Sequence, residues 1–198
     1  MTTISHFFAY ISRLRWIKRW SLMRNAIHED VAVHSWEVAT FAHVLAVIHK
    51  QQNPASDIDP YRMATIALYH DATEVITGDM PTPVKYHSDA MRKAYQGVEQ
   101  KAQHELLALL PISIQNDFKS VLIEEDLPEE YKILLKAADR LSALLKCRAE
   151  LRAGNQEFSQ AEEIVHTRLL EMSRPEVSYF LDVFAPSYDK TLDNLLER

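Results

Sequence analysis

Glycine is nearly missing from this chain, with three in 198 residues, and no stretch alternates Val, Ile or Thr with polar residues between turn signals. Long runs of Ala, Leu, Glu, Lys and Gln favour helix instead, so the expected fold class is all-α. Cysteine is rarer still. The single Cys147 excludes an internal disulfide framework and fits a reducing, cytoplasmic compartment. It falls on an expected helix, where it reads as a small core residue. A basic excess is also lacking: 22 Lys and Arg stand against 28 Asp and Glu, a net charge of −6. That balance argues against a general nucleic-acid binder, yet a local group of cations still suffices for a small phosphorylated ligand. No window reads as the roughly 18 apolar residues of a membrane span. Arg13, Arg15 and Lys18 interrupt the N-terminal apolar positions before any cleavage-like site. No repeat, low-complexity segment or linker divides the sequence, so residues 1–198 are expected to form one soluble domain.

Apolar residues recur at helical spacing. A first helix is expected over residues 4–19, with Ile4, Phe7, Phe8, Ile11 and Leu14 as its buried stripe. Its basic end, Arg13, Arg15, Lys18 and Arg19, either complements the helix dipole or offers a planar fork for an anion. A second helix runs from residue 33 or 34 to residue 50, with Val38, Phe41, Ala42 and Leu45 inward and His34 on the same face. His43 and His49 lie off that stripe and read as surface or partly buried structural histidines. Asp59-Pro60 begins a third helix, which Gly78 stops. Met80-Pro81-Thr82-Pro83 reads as a stiff loop, because each proline restricts the residue before it. Further helices are expected over residues 88–110, 112–123 and 129–153. Another runs from 158 towards 184 with a break at Pro175, and a short one follows Pro186.

The third helix carries the chemistry. Met63, Ile66 and Ala67 form its buried face, and continuing that face gives His70, Asp71 and Glu74. A core-facing imidazole beside two carboxylates is costly unless a positive group, such as a metal ion, satisfies them. Asp139 stands inside an apolar helix, four residues after Leu135, and adjacent Arg140 cannot face it, so it wants a partner from another helix. His34, the pair His70-Asp71 and Asp139 make a nitrogen and oxygen donor set suited to a first-row divalent ion such as Mn²⁺, Co²⁺, Fe²⁺ or Zn²⁺. The set lacks the Cys/His spacing of a closed structural zinc site.

This order of His, His-Asp and Asp resembles the HD-domain metal-dependent phosphohydrolases, and more narrowly the bacterial 5′-deoxynucleotidases typified by YfbR. The runs that carry the resemblance are Ser5-His6-Phe7-Phe8-Ala9, Arg19-Trp20 with Leu22-Met23-Arg24-Asn25, and His34-Ser35. They continue with Tyr69-His70-Asp71-Ala72 and Glu74, then Thr77-Gly78-Asp79 and Pro81-Thr82-Pro83-Val84-Lys85. Ala138-Asp139 and Ala153-Gly154-Asn155 complete a set spanning nearly the whole chain. The resemblance implies that His34, His70, Asp71 and Asp139 hold one divalent metal: Co, Mn, Zn or Fe. It makes Glu74 and Asp79 the catalytic carboxylates, with Asp79 also at the substrate. Arg19 and Trp20 correspond to residues near the phosphate and sugar, Trp20 being implicated in a preference for deoxyribose. Glu124, with Glu125 as its alternative, matches a further acidic pocket residue.

The implied activity is hydrolysis of deoxyribonucleoside 5′-monophosphates to deoxynucleosides and phosphate. A homodimer is implied, with a small-molecule substrate and neither nucleic acid nor membrane as partner. Val33, where Glu or another polar residue is expected, and Ser21, where proline is expected, depart from the pattern without removing a ligand. His87 and His104 sit in no matching motif, which favours one metal over two. The alternatives are another HD phosphohydrolase, acting on a nucleoside triphosphate or an alarmone, and a non-catalytic nucleotide-binding helical scaffold. The chain length and the Arg19-Trp20 match count against the first, and the retained ligands and Glu74 against the second.

Overall fold

The computed structural model describes residues 4–196. Its N-terminal helix is short: α1 (Phe7–Ile11) gives way to a 3-10 segment over Ser12–Trp16, Ile17 is extended, and Lys18 forms an antiparallel bridge with Asp30. The single helix expected over residues 4–19 does not form. Of its stripe only Phe7 and Leu14 are buried, Ile11 is half-buried, and Ile4 and Phe8 are exposed. The bridge is the physical reason. The Val31 N–H donates to the Ile17 carbonyl at 3.0 Å and the Arg19 N–H to the Glu29 carbonyl at 3.1 Å, and groups paired this way are not free for a helical ladder. Arg19 therefore stands at the neck of a closed loop, residues 18–30, instead of at a helix end.

Helix α2 (Val31–Gln52) begins earlier than expected because Asp30 caps it, its carboxylate accepting from the Val33 N–H at 2.9 Å. By length and composition this helix is apolar enough to cross a membrane, which corrects the reading that no window qualifies. More than half of that window is buried against other parts of the chain, and the helix packs on α3 and α8. Its apolarity belongs to the core.

Asp59 caps α3 (Pro60–Tyr69), with Pro60 in the first turn. The helix ends at Tyr69, before the three ionisable residues expected on it. The N–H groups of His70, Ala72 and Glu74 reach back only three residues, to Ala67, Tyr69 and Asp71, at 3.4, 3.0 and 3.0 Å. That tightening swings residues 70–73 through a turn into α4 (Glu74–Thr77), which Gly78 closes at φ 71°. Residues Thr82–Lys85 make one helical turn, α5, where a loop was expected, with proline in its first turn.

Helices α6 (Asp89–Ala108), α7 (Ile112–Leu122) and α8 (Glu129–Arg152) lie close to their expected bounds, Ser88 capping α6 through the Met91 N–H. The last long stretch divides into α9 (Ser159–Leu170) and α10 (Pro175–Val183), and α11 (Leu192–Leu196) follows. One apolar cluster joins Val38, Phe41 and Leu45 of α2 to Met63 and Ile66 of α3 and Leu134, Leu141 and Leu144 of α8. Each such side chain, fully buried, stabilises the fold by about 1.5–3 kcal/mol. Phe7, Ala72, Leu106, Leu110 and Leu122 form a second cluster that seats the N-terminal segment against α6 and α7. Cys147 is buried on α8, as expected.

Candidate functional site

α2, the turn after α3, and α8 each deliver polar side chains to one cluster. His34, on the first turn of α2, is fully buried. Asp71 Oδ2 is the hub, 3.1 Å from His70 Nε2, 3.4 Å from His34 Nε2 and 3.4 Å from the Arg19 guanidinium. Asp139, half-exposed on α8, joins through His34, whose Nε2 lies 3.2 Å from its Oδ1. His34, His70 and Asp71 lie at metal-ligand distance of one another, and Asp139 reaches that group through His34 alone.

Two observations test whether these residues fit a metal ion. His70 Nδ1 lies 2.7 Å from the Ala67 carbonyl, which can only accept, so this nitrogen carries the proton and leaves the Nε2 lone pair facing Asp71. His34 Nδ1 similarly lies 3.1 Å from the Ser142 hydroxyl. Yet neither Nε2 has a hydrogen-bond partner, because the carboxylates at ion-pair distance are not aligned to serve as one. Two buried, unpartnered nitrogens converging on carboxylates are the donor set a divalent cation completes. The electrostatics agree. Burial and Arg19 oppose a charge on His34, but Asp139, Glu29 and Asp71 outweigh them and push its pKa up to about 9. Despite burial, His70, His34 and Arg19 hold Asp71 well below the usual carboxylate range, and His34 lowers Asp139. A cation held at Nε2 would displace the proton that these carboxylates favour on His34.

Glu74 stands beside the cluster with its Oε2 buried and unpartnered. Burial, then the charges of Asp71 and Asp79, push its pKa up to about 9. Asp79 is raised by burial and by Asp71, with Arg19 opposing. His70, Asp71, Glu74 and Asp139 open on a cleft of about 690 Å³ whose other walls include Gln103, Glu124, Glu125 and Lys132. Glu124 and Glu125 both face it, so the cleft does not choose between them. Arg19, Trp20, His34 and Asp79 are not among its lining residues. The Trp20 indole N–H donates to Glu29 at 2.7 Å, and the ring lies 5.4 Å from that of Phe158.

Sequence reasoning missed Glu29. It touches Arg19 at 3.4 Å, Trp20 at 2.7 Å and His34 Nδ1 at 3.7 Å, tying two expected substrate residues to an expected ligand. Nothing in its local pattern distinguishes it from an ordinary acidic residue ahead of a helix cap. Glu150 was missed as well. Fully buried on α8, it accepts from the Ala26 and Ile27 N–H groups at 2.9 Å each, from Asn155 at 2.8 Å and from Lys146, anchoring the loop of residues 18–30. The available signal was a Lys–Glu pair four apart on an otherwise apolar helix. Another group at metal-ligand distance, His49, Glu130 and Glu176, already encloses a cation: Arg174 pairs with Glu130 and lies 2.7 Å from Glu176. It locks α10 to α2 and α8.

An all-helical chain that gathers His, His-Asp and Asp in this way has the fold of the HD-domain phosphohydrolases. An HD-domain phosphohydrolase from Listeria innocua superposes with a TM-score of 0.77 at 24% identity, over 92% of this chain and 88% of that one. A cyanophage S-2L HD phosphohydrolase, solved with dA and one catalytic Zn²⁺ ion, superposes with a TM-score of 0.66 at 18% identity, over 96% and 99%. Sequence narrows the class. The family "5′-deoxynucleotidase YfbR-like" matches residues 6–188, and 5′-deoxynucleotidases of Yersinia pseudotuberculosis and Yersinia pestis are 47% identical over 97% of both chains. The chain belongs to the YfbR-like 5′-deoxynucleotidase family and is a phosphoric monoester hydrolase.

Proposed function

We propose that this cleft hydrolyses the 5′-phosphate ester of deoxyribonucleoside monophosphates at one divalent metal held by His34, His70, Asp71 and Asp139. The carrying observation is the pair of buried, unpartnered Nε2 atoms of His34 and His70 converging on Asp71. Such an ion, when bound, lowers the pKa of water and draws charge from a phosphate oxygen. Two nitrogens and two carboxylates favour Co²⁺, Mn²⁺, Zn²⁺ or Fe²⁺.

The remaining work falls to the chain's own groups. Arg19 keeps its charge, because Asp71, Asp139 and Glu29 outweigh its burial, and it offsets the negative charge that builds on the phosphate. The deoxyribose 5′-oxygen leaves poorly as an alkoxide and needs a proton. Glu74 is suited to give it, since burial, then the charges of Asp71 and Asp79, raise the pKa of that carboxyl. Asp79 completes the acidic pair and orients substrate, Glu124 bounds the far side, and Trp20, fixed by Glu29 and Phe158, selects against a ribose hydroxyl.

The test is phosphate release from dAMP and AMP by metal-stripped protein to which Mn²⁺, Co²⁺, Zn²⁺ or Mg²⁺ is restored singly. Metal-dependent release favouring dAMP is expected. Equal rates on both substrates refute the sugar selectivity, and no release with any metal refutes the reading. A homodimer accords with the family resemblance and with the exposed aromatic rings of Trp36 and Tyr61 on α2 and α3, and light scattering decides it. A cytoplasmic setting accords with the lone buried thiol.

A further inference from the structure

Two helices repeat one arrangement around His34. On α2, His34 is followed three residues later by Glu37. On α8, Asp139 is followed three residues later by Ser142. Residues three apart share a helix face, so each helix presents an expected ligand and a second polar residue together. The second residues meet across the interface: the Ser142 hydroxyl donates to Glu37 Oε2 at 3.0 Å and lies 3.1 Å from His34 Nδ1. Ser142 is fully buried.

A serine hydroxyl has one proton. With that proton committed to Glu37, the oxygen can only accept from His34, so His34 Nδ1 must carry hydrogen. Once the Nε2 proton is released, its lone pair is directed at Asp71 and Asp139 with no change of tautomer or ring orientation. Glu29 is the competing partner, but at 3.7 Å from Nδ1 it lies beyond hydrogen-bond reach.

We propose that Ser142 and Glu37 are positioning residues that fix the tautomer and ring orientation of His34 for the cation. The inference rests on the reading of His34 as a metal ligand. Partners behind a ligating imidazole commonly contribute about 10–100-fold in metal affinity. Loss of that size is expected here. Neither residue lines the cleft, so the effect is expected in metal uptake.

The experiment measures Co²⁺ binding to full-length, metal-stripped protein by chelator competition and by the visible d–d spectrum, without substrate. Wild type is compared with Ser142→Ala, Ser142→Thr, Glu37→Gln and His34→Ala, with apo-protein melting as a fold control. Ser142→Ala is expected to weaken Co²⁺ binding by about 10–100-fold and alter the spectrum, and Ser142→Thr to restore both. Glu37→Gln keeps an acceptor oxygen but loses the charge, so it is expected to fall between. Should Ser142→Ala melt prematurely, Glu37→Gln at the outer end of the relay decides alone. Wild-type affinity and spectrum in Ser142→Ala or, in that case, Glu37→Gln, while His34→Ala binds nothing, overturn the relay and leave the metal reading standing. Unimpaired binding by His34→Ala, or no Co²⁺ uptake by wild type, removes both.

Discussion

Replacing Glu150 with glutamine tests the anchoring of the 18–30 loop. The carboxylate is fully buried and satisfies four donors: the Ala26 and Ile27 amides, Asn155 and the Lys146 ammonium. Glutamine has one acceptor oxygen, so a backbone N–H loses its partner and Lys146, itself buried, loses its counter-charge. Breaking a buried pair by removing one member costs about 3–5 kcal/mol, a large share of a typical domain's stability.

The same four bonds set the expected pH dependence. Burial alone would raise the Glu150 pKa, but the bonds from Lys146, Asn155, Ile27 and Ala26 outweigh it and bring it from 4.5 down to about 2. That lowering corresponds to about 3 kcal/mol. Because the folded value lies below the unfolded one, this stabilisation is fully present above about pH 4.5. It fades as pH falls towards about 2. Urea unfolding of wild type and Glu150→Gln, followed by helical circular dichroism, should show a gap of about 3–5 kcal/mol at neutral pH that narrows steadily in acid. A gap under about 1 kcal/mol, or one that ignores pH, refutes the reasoning. The same variant should raise KM for dAMP, since the loop carries Arg19 and Trp20, while Co²⁺ affinity holds.

Glu74→Gln should lower kcat by about 10²–10⁴-fold with Co²⁺ uptake intact, read by phosphate release alongside chelator competition. Trp20→Ala should narrow the preference for dAMP over AMP, measured as a ratio of kcat/KM values. Burial, then Glu162, pushes the Cys147 thiol up to about 12, so it should resist a disulfide reagent at mildly alkaline pH until urea unfolds the chain. Phe7→Ala, which empties the centre of the second cluster, should cost about 3–5 kcal/mol by the same urea assay.

What could be read from the sequence was what is local. Asp59-Pro60, the apolar spacing of α2 and α8, and the break before Pro175 all declare themselves within a few residues. The N-terminal helix misled because pairing of residues 17–19 with 29–31 overrides a good helical stripe, and no short window shows it. The turn at residues 70–73 escaped for a related reason: its hydrogen bonds shorten from four residues to three without any proline or glycine to mark the change. The expected ligands stood out as costly polar groups on apolar faces. Glu29 and Ser142 did not, since each makes sense only beside a His34 that the fold brings to it.

The loop of residues 18–30 divides the labour of the molecule. Its ends are stitched together at Ile17–Val31 and Arg19–Glu29, and its far side is held by Glu150, so it closes on itself like a cartridge seated in a socket. The expected metal ligands all lie outside it, on α2, on α8 and in the turn after α3. Substitutions at the exposed side chains between Trp20 and Ile27 are therefore expected to leave those ligands in place. Glu29 and Arg19 are the exceptions, the side chains of the cartridge that face back to His34 and Asp71. A change there reaches both halves at once.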